Sequence, residues 1–271
     1  MARSPRPAAP AAERVRDEML HEARSLIDQA RVRGVTIRLI GGLAVRAHCR
    51  TADLCARDYS DLDMVGLASD RSALPGLFAG FGYTENQAVG AATAYGELQF
   101  VRPCAHDGRP PGGHPHPDDH VDVFLDTFRM DHDIALARRL AIEPYTVPLS
   151  DLLLTKLQIS RLNEKDVRDV VTLLADHEVG DRDDRDTIDG RRIGALCAAD
   201  WGLFYDVTTN LQRIGERLVA ADLGDARQSS VRRGLARLIG AIDEAPKNVL
   251  WRLRARVGTR VSWHNEPDDQ E

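Results

Sequence analysis

The hydrophobic period of this chain changes at Val147-Pro148, and few architectures accommodate such a change. Before it, apolar residues alternate in short runs separated by glycine turns. After it they recur only at helical spacing, about Leu149 to Leu162, then Glu164 to Ala175, then several segments from Arg191 to Val257. The expected fold class is therefore α+β, a small mixed sheet with helices followed by a mostly helical region. Residues 1–10 are rich in Pro, Ala and Arg and read as a disordered leader. The expected domains are an α/β core over 11–148 and a helical domain over 149–262, with an acidic tail over 263–271.

Within the α/β part, Val15, Met19, Ala23, Leu26 and Ile27 predict a helix from about Ala11 to Arg33 that stops at Gly34. Val35, Ile37 and Leu39 alternate with Thr36 and Arg38, and that strand gives way at Gly41-Gly42 to a short helical pattern through Leu43, Val45 and Ala47. Arg71 to Phe81 reads as a helix closed by Gly82, and Leu98 to Val101 as a further strand. Gly180 to Asp189 is acidic and poor in hydrophobes, and reads as a loop between helices.

Two strands carry aspartate where it must be accounted for. Asp61-Leu62-Asp63-Met64-Val65 sends both carboxylates to one face, because side chains on a strand alternate. His120-Val-Asp-Val-Phe-Leu-Asp126 puts Val121, Val123 and Leu125 on one face and His120, Asp122 and Phe124 on the other. Crowded carboxylates repel unless neutralised, and a hard divalent cation with oxygen ligands does this. The plain alternative for an Asp-x-Asp pair is a solubilising edge strand. Backbone N–H groups at the Gly41-Gly42 turn have no side chains in the way and suit a phosphate.

Elsewhere the residues exclude more than they assign. Cys49, Cys55, Cys104 and Cys197 lack paired C-x-x-C spacing, so reduced and mostly buried thiols are expected, with no disulfide framework and no zinc site. No run approaches the roughly 18 apolar residues of a membrane helix, and no apolar signal core follows the N-terminal basic residues. The expectation is a cytoplasmic protein with no membrane partner. A net charge of -6 argues against a general nucleic-acid coat, although Arg227, Arg232, Arg233, Arg237, Lys247, Arg252, Arg254, Arg256 and Arg260 concentrate basic charge near the C-terminus. His106, His114, His116, Asp118 and Asp119 lie in Pro- and Gly-rich surroundings without ligand spacing that would fix a zinc tetrahedron.

Strand, Gly-Gly, helix, then Asp-x-Asp, then a strand bearing one inward Asp resembles the core signature of DNA polymerase β-like nucleotidyltransferases. Leu152-Leu-Leu-Thr-Lys-Leu-Gln-Ile159, followed by Asn163-Glu-Lys-Asp166-Val-Arg-Asp169, is similar to the lysine helix and the Lys-Asp-x-x-Asp helix of the AbiEii-like branch, which includes abortive-infection (type IV) toxins. The similarity runs from about Ile37 to Leu174. It implies transfer of a nucleoside monophosphate from a nucleoside triphosphate to an acceptor hydroxyl, with Mg²⁺ (or Mn²⁺) held by Asp61, Asp63 and Asp122. It further implies nucleotide contacts by Gly41, Gly42, Arg46, Lys156, Lys165, Asp166 and Asp169. The acceptor would be RNA or protein, with an antitoxin as a possible partner, or alternatively a small molecule such as an antibiotic; a non-catalytic nucleotide-binding module is the remaining alternative. The chain has Gly42 where the superfamily often has serine, so backbone donors must suffice there.

Each second-tier residue has a simpler reading. Asn163 is a plausible N-cap with Asp166 in the first turn behind it, and Lys165 with Asp169 could form a surface ion pair. An exposed arginine is the default for Arg46. Lys156 falls inside the apolar stripe of its helix, so its stem must carry the ammonium to water or its charge must meet an anion.

Overall fold

The computed structural model describes residues 11–51, 53–56, 59, 62–88, 97–102, 120–218 and 223–265. Asp61, Cys104, the expected leader and the histidine-rich stretch up to Asp119 lie outside them, as does the tail from Glu266 onward.

Helix α1 (Ala11–Val32) buries Met19, Ala23, Leu26, Ile27 and Ala30, and Gly34 ends the segment at φ 72°. Five strands then build one mixed sheet in the order β1-β2-β5-β4-β3: β1 (Ile37–Leu39), β2 (Leu62–Gly66), β3 (Thr84–Glu85), β4 (Leu98–Val101) and β5 (His120–Leu125). The central pair β2 and β5 is parallel, and the other neighbours are antiparallel. Met64, Val121, Val123, Leu98 and Phe100 share one face and are all but inaccessible. Helix α3 (Leu74–Ala79) covers that face, with Phe78 stacked on Phe100 at 4.1 Å between centroids. The predicted helix from Arg71 is split: a 3-10 turn over Ala68–Ala73 precedes α3. Pro75, near the start of α3, has no N–H for the preceding turn, and this accounts for the break.

Helix α2 (Gly41–His48) follows β1 directly. The hairpin of β6 (Thr127–Arg129) and β7 (Asp133–Ala135) follows β5 after a left-handed Asp126 at φ 59°. The chain then returns along β1, where Leu39 donates to the Tyr145 carbonyl at 2.8 Å and Val147 donates to the Leu39 carbonyl at 3.1 Å. That return covers the β1 edge and delivers the chain to α4 (Leu149–Leu157), which is buried almost all round. Around α4 pack α5 (Glu164–Asp176), α6 (Gly190–Ala199) and α7 (Trp201–Leu218); α8 (Asp225–Glu244) lies against those three, and α9 (Val249–Val257) against α7. The fold is thus α+β with a mostly helical second part, and the apolar core runs unbroken across Val147 and Leu149. No helix among the described residues is long and apolar enough to cross a membrane.

Two expectations are corrected. The acidic run is not all loop, because β8 (Glu178–Gly180) and β9 (Thr187–Asp189) pair in parallel and bury Val179 and Ile188. Three-residue strands are too short to declare a period. The cysteines are not all reduced either: Cys49 and Cys55 form a disulfide, their Cα atoms brought 6.4 Å apart by the turn after α2. Cys197 is buried and free, with its thiol pushed up to about 12 by desolvation and then by Asp200.

The junction between the two parts depends on neutral histidines. His48 Nε2 lies 2.7 Å from the Thr146 hydroxyl, and His177 Nε2 lies 3.1 Å from the His48 carbonyl. Burial first, then His177, pushes His48 down to about 4, and burial also lowers His177. The unfolded chain takes up these protons near the ordinary value of about 6.5 and the folded chain resists until lower pH, so stability falls as pH drops from 6.5 towards 4. His48 alone accounts for a loss on the order of 3 kcal/mol over that window. Urea unfolding at pH 7 and pH 4.5 should show this loss in the wild type and a shallower one in His48→Gln; equal slopes would remove His48 as the source.

Candidate active site

The parallel pairing of β2 and β5 sets Asp63 directly opposite Asp122, on the face away from the α3 core. Adjacent strands lie about 4.8 Å apart, so register alone makes the two carboxylates neighbours. Both are partly accessible, whereas Leu62, Met64, Val121 and Val123 around them are buried. Gln99 on β4 donates to Asp122 Oδ1 at 3.0 Å, and His120 Nε2 lies 3.5 Å from Asp122 Oδ2. Glu97 stands in the same neighbourhood, its carboxyl held above the usual range by burial and then by the charge of Asp122. Alternation on the strand anticipates His120 beside Asp122. It could also have found Gln99, because Leu98 and Phe100 take the core face.

Above Asp63 sits the turn into α2. Gly41 has φ 70°, and a Cβ there would lie 2.1 Å from Asp63 Oδ2. Only glycine fits, on both conformational and steric grounds. The N-cap of α2 is Ile40, whose side chain makes no capping hydrogen bond. The Asp63 carbonyl accepts from the Ile40 amide at 3.0 Å, which fixes the turn against β2.

A cavity of about 640 Å³ opens here, with Gly41, Asp63, Phe124, Phe128, Lys156 and Asp166 among its lining residues. The remainder of its wall comes from Met130, Asp131, Thr155, the 159–161 segment, Asn163 and His264. Sequence reading missed Phe128, Asp131, Arg161 and His264, which reach the cavity only through long-range packing. Gly42, Arg46, Asp122, Lys165 and Asp169 are not among the lining residues. Arg46 turns back instead, its Nη2 3.6 Å from Asp17 and its Nη1 3.6 Å from Cys55 Sγ. Among the described residues, no group of three or more His, Cys, Asp or Glu is placed to hold a metal ion. Asp61, the third carboxylate of the expected set, lies outside the described residues.

Lys156 meets an anion, and the anion belongs to the protein. Its Nζ lies 3.2 Å from Asp166 and 3.2 Å from Asp169, with Asp169 2% exposed. Burial works against the ammonium, but Asp169 and then Asp166 outweigh it and hold its pKa above the ordinary lysine value. Asn163 does cap α5, accepting from the Asp166 amide at 3.0 Å. The surface pair of Lys165 with Asp169 is replaced by the buried Lys156 pair, since Lys165 is exposed and Asp169 points inward.

No family model matches this chain, and no curated protein matches it either. Among solved structures it is similar to an antibiotic-resistance factor, ANT(2'')-Ia, described as showing substrate-regulated conformation dynamics. The identity is 11% over 57% of this chain and 81% of that chain, with a TM-score of 0.36. A likeness of that extent carries no argument about the site.

Removing one partner of a buried ion pair leaves the other charge uncompensated, at a cost of about 3–5 kcal/mol. Lys156→Met should therefore lose stability on that scale in urea unfolding at pH 7, and adding Asp169→Asn should restore part of it. Unchanged stability in Lys156→Met would mean that the pair carries no weight.

Proposed function

We propose that the chain is a metal-dependent nucleotidyltransferase that moves a nucleoside monophosphate from a nucleoside triphosphate to an acceptor hydroxyl. The observation that carries this reading is the in-register placement of Asp63 beside Asp122, with Asp63 packed under the positive-φ Gly41 at the start of α2. Such a donor set, hard oxygens crowded on one face, fits a divalent cation better than a structural role. Asp63 and Asp122 would hold Mg²⁺ or Mn²⁺, with Asp61 added by its place in the Asp-x-Asp motif. When bound, such an ion neutralises phosphate charge and lowers the pKa of the acceptor hydroxyl.

The chain's own residues do the positioning. The amides opening α2 would meet a phosphate at the turn, where neither Gly41 nor Gly42 carries a side chain to obstruct it. Phe124 and Phe128, in edge contact at 4.8 Å between centroids, give the cavity an apolar wall on which a base can rest. The acceptor oxygen forms its bond to the α-phosphorus as the bond to the bridging oxygen breaks. Pyrophosphate leaves with that electron pair, and the hydroxyl proton passes to solvent.

For the acceptor, exposed Arg252, Arg256 and Arg260, which make no ion pair among the described residues, support a polyanion such as RNA. That choice agrees with a toxin-like enzyme, with an antitoxin as its partner; a small hydroxylated antibiotic is the alternative acceptor.

The test incubates the protein with α-³²P-labelled nucleoside triphosphates and either total RNA or an aminoglycoside and lincosamide panel. Label should pass to acceptor only with Mg²⁺ or Mn²⁺. Asp63→Asn and Asp122→Asn should each lower the rate by at least about a hundredfold with circular dichroism unchanged. Wild-type rates in both variants would refute the assignment, and nucleotide binding without transfer would favour a non-catalytic module.

A further inference from the structure

A triphosphate in this cavity needs a cation that is free to meet it, and Lys156 is a poor one. Its ammonium is 3.2 Å from each of two carboxylates, so the three side chains together present a net negative charge to an approaching phosphate. Lys165 and Arg46 are not on the cavity wall. Arg161 is on it, exposed, and makes no hydrogen bond or ion pair among the described residues.

The backbone that presents Arg161 is nevertheless held firmly. Asn210, 1% exposed, donates through Nδ2 to the Leu157 carbonyl at 2.9 Å and to the Ile159 carbonyl at 2.7 Å. Asp131 accepts from the Ser160 amide at 2.5 Å, and Gln158 Oε1 accepts from the His132 amide at 2.9 Å. On the far side Asn163 caps α5. A buried asparagine, a carboxylate, a glutamine and a helix cap thus fix the chain on both sides of residue 161. Its guanidinium has no hydrogen-bond or ion-pair partner among the described residues. Fixing a backbone while leaving its long cationic side chain uncommitted is how a binding group is preorganised.

We infer that Arg161 is the residue that binds the β- and γ-phosphates of the nucleoside triphosphate, and that Lys156 with Asp166 and Asp169 forms the internal strut beside it. The planar guanidinium pairs with two phosphate oxygens at once, which a lysine cannot do. This inference rests on the nucleotidyltransferase reading for the identity of the ligand, and on the cavity geometry for the residue.

The test is calorimetric titration of the full chain in Mg²⁺ with the α,β-methylene analogue of ATP, and with AMP. Arg161→Gln should weaken the triphosphate analogue by roughly tenfold to a hundredfold, the range of a hydrogen bond to a charged group, and change AMP affinity by less than about twofold. Arg161→Lys should fall between wild type and Gln. Arg168→Gln, the same charge change at an exposed position of α5 off the cavity wall, should bind as wild type. Wild-type affinity for the analogue in Arg161→Gln would overturn the inference while leaving the nucleotidyltransferase reading standing. Equal losses in Arg161→Gln and Arg168→Gln would overturn it in favour of diffuse electrostatics. A wild type that bound neither nucleotide would overturn both.

Discussion

The arrangement depends on one contact, the Asp63 carboxylate lying against the α-carbon of Gly41. Any side chain at position 41 would occupy the place of that carboxylate, and the positive φ that turns β1 into α2 is itself strained for other residues. The strand carrying Asp63 is fixed in turn by its parallel register with β5. A slip of β2 by one residue would send Asp63 into the apolar layer against α3, away from Asp122, and bring Met64 to the cavity side. Sheet register, turn geometry and the position of the charges are therefore one constraint.

The helical part completes the cavity, with Lys156, Arg161 and Asp166 on its wall. Helix α4 is buried because it is the axis about which α5, α6 and α7 pack, and Asp151 at its start is clamped by Arg139 at 2.7 Å and Arg192 at 3.0 Å. Those pairs join the segment after β7 and the start of α6 to the same helix end. At the other end, Asn210 and Asp131 fix the turn that carries Arg161. At the far edge, Asn265 donates to the Met130 carbonyl at 2.9 Å, which brings His264 to the cavity rim. The rigid floor comes from strands and the polar rim from helix ends, an arrangement suited to a site that must hold a charged ligand in one orientation.

Much of this was legible in the sequence because it is local. Alternation placed Asp122, Phe124 and His120 on one strand face, helical spacing announced the helices that follow Pro148, and Asn163 read as a cap. What the sequence concealed was settled over distance. The partner of Lys156 could be narrowed to water or an anion, but the choice of Asp166 and Asp169 depends on how α4 meets α5. The turn of Arg46 towards Asp17 depends on α1, and the Cys49–Cys55 disulfide on a turn without a periodic signature. Arg161 carried no pattern at all; its significance is that its neighbours are committed while it has no partner among the described residues.

The central claim, that Asp63 and Asp122 form one divalent-cation site under Gly41, is tested most directly by titrating Mn²⁺ and following the free-ion signal by electron paramagnetic resonance. The account predicts saturable binding in the wild type that is lost in Asp63→Asn and in Asp122→Asn. It also predicts weakened binding in Gly41→Ala, which keeps both carboxylates but displaces one of them. Mn²⁺ affinity in Asp63→Asn and Asp122→Asn equal to that of the wild type would contradict it.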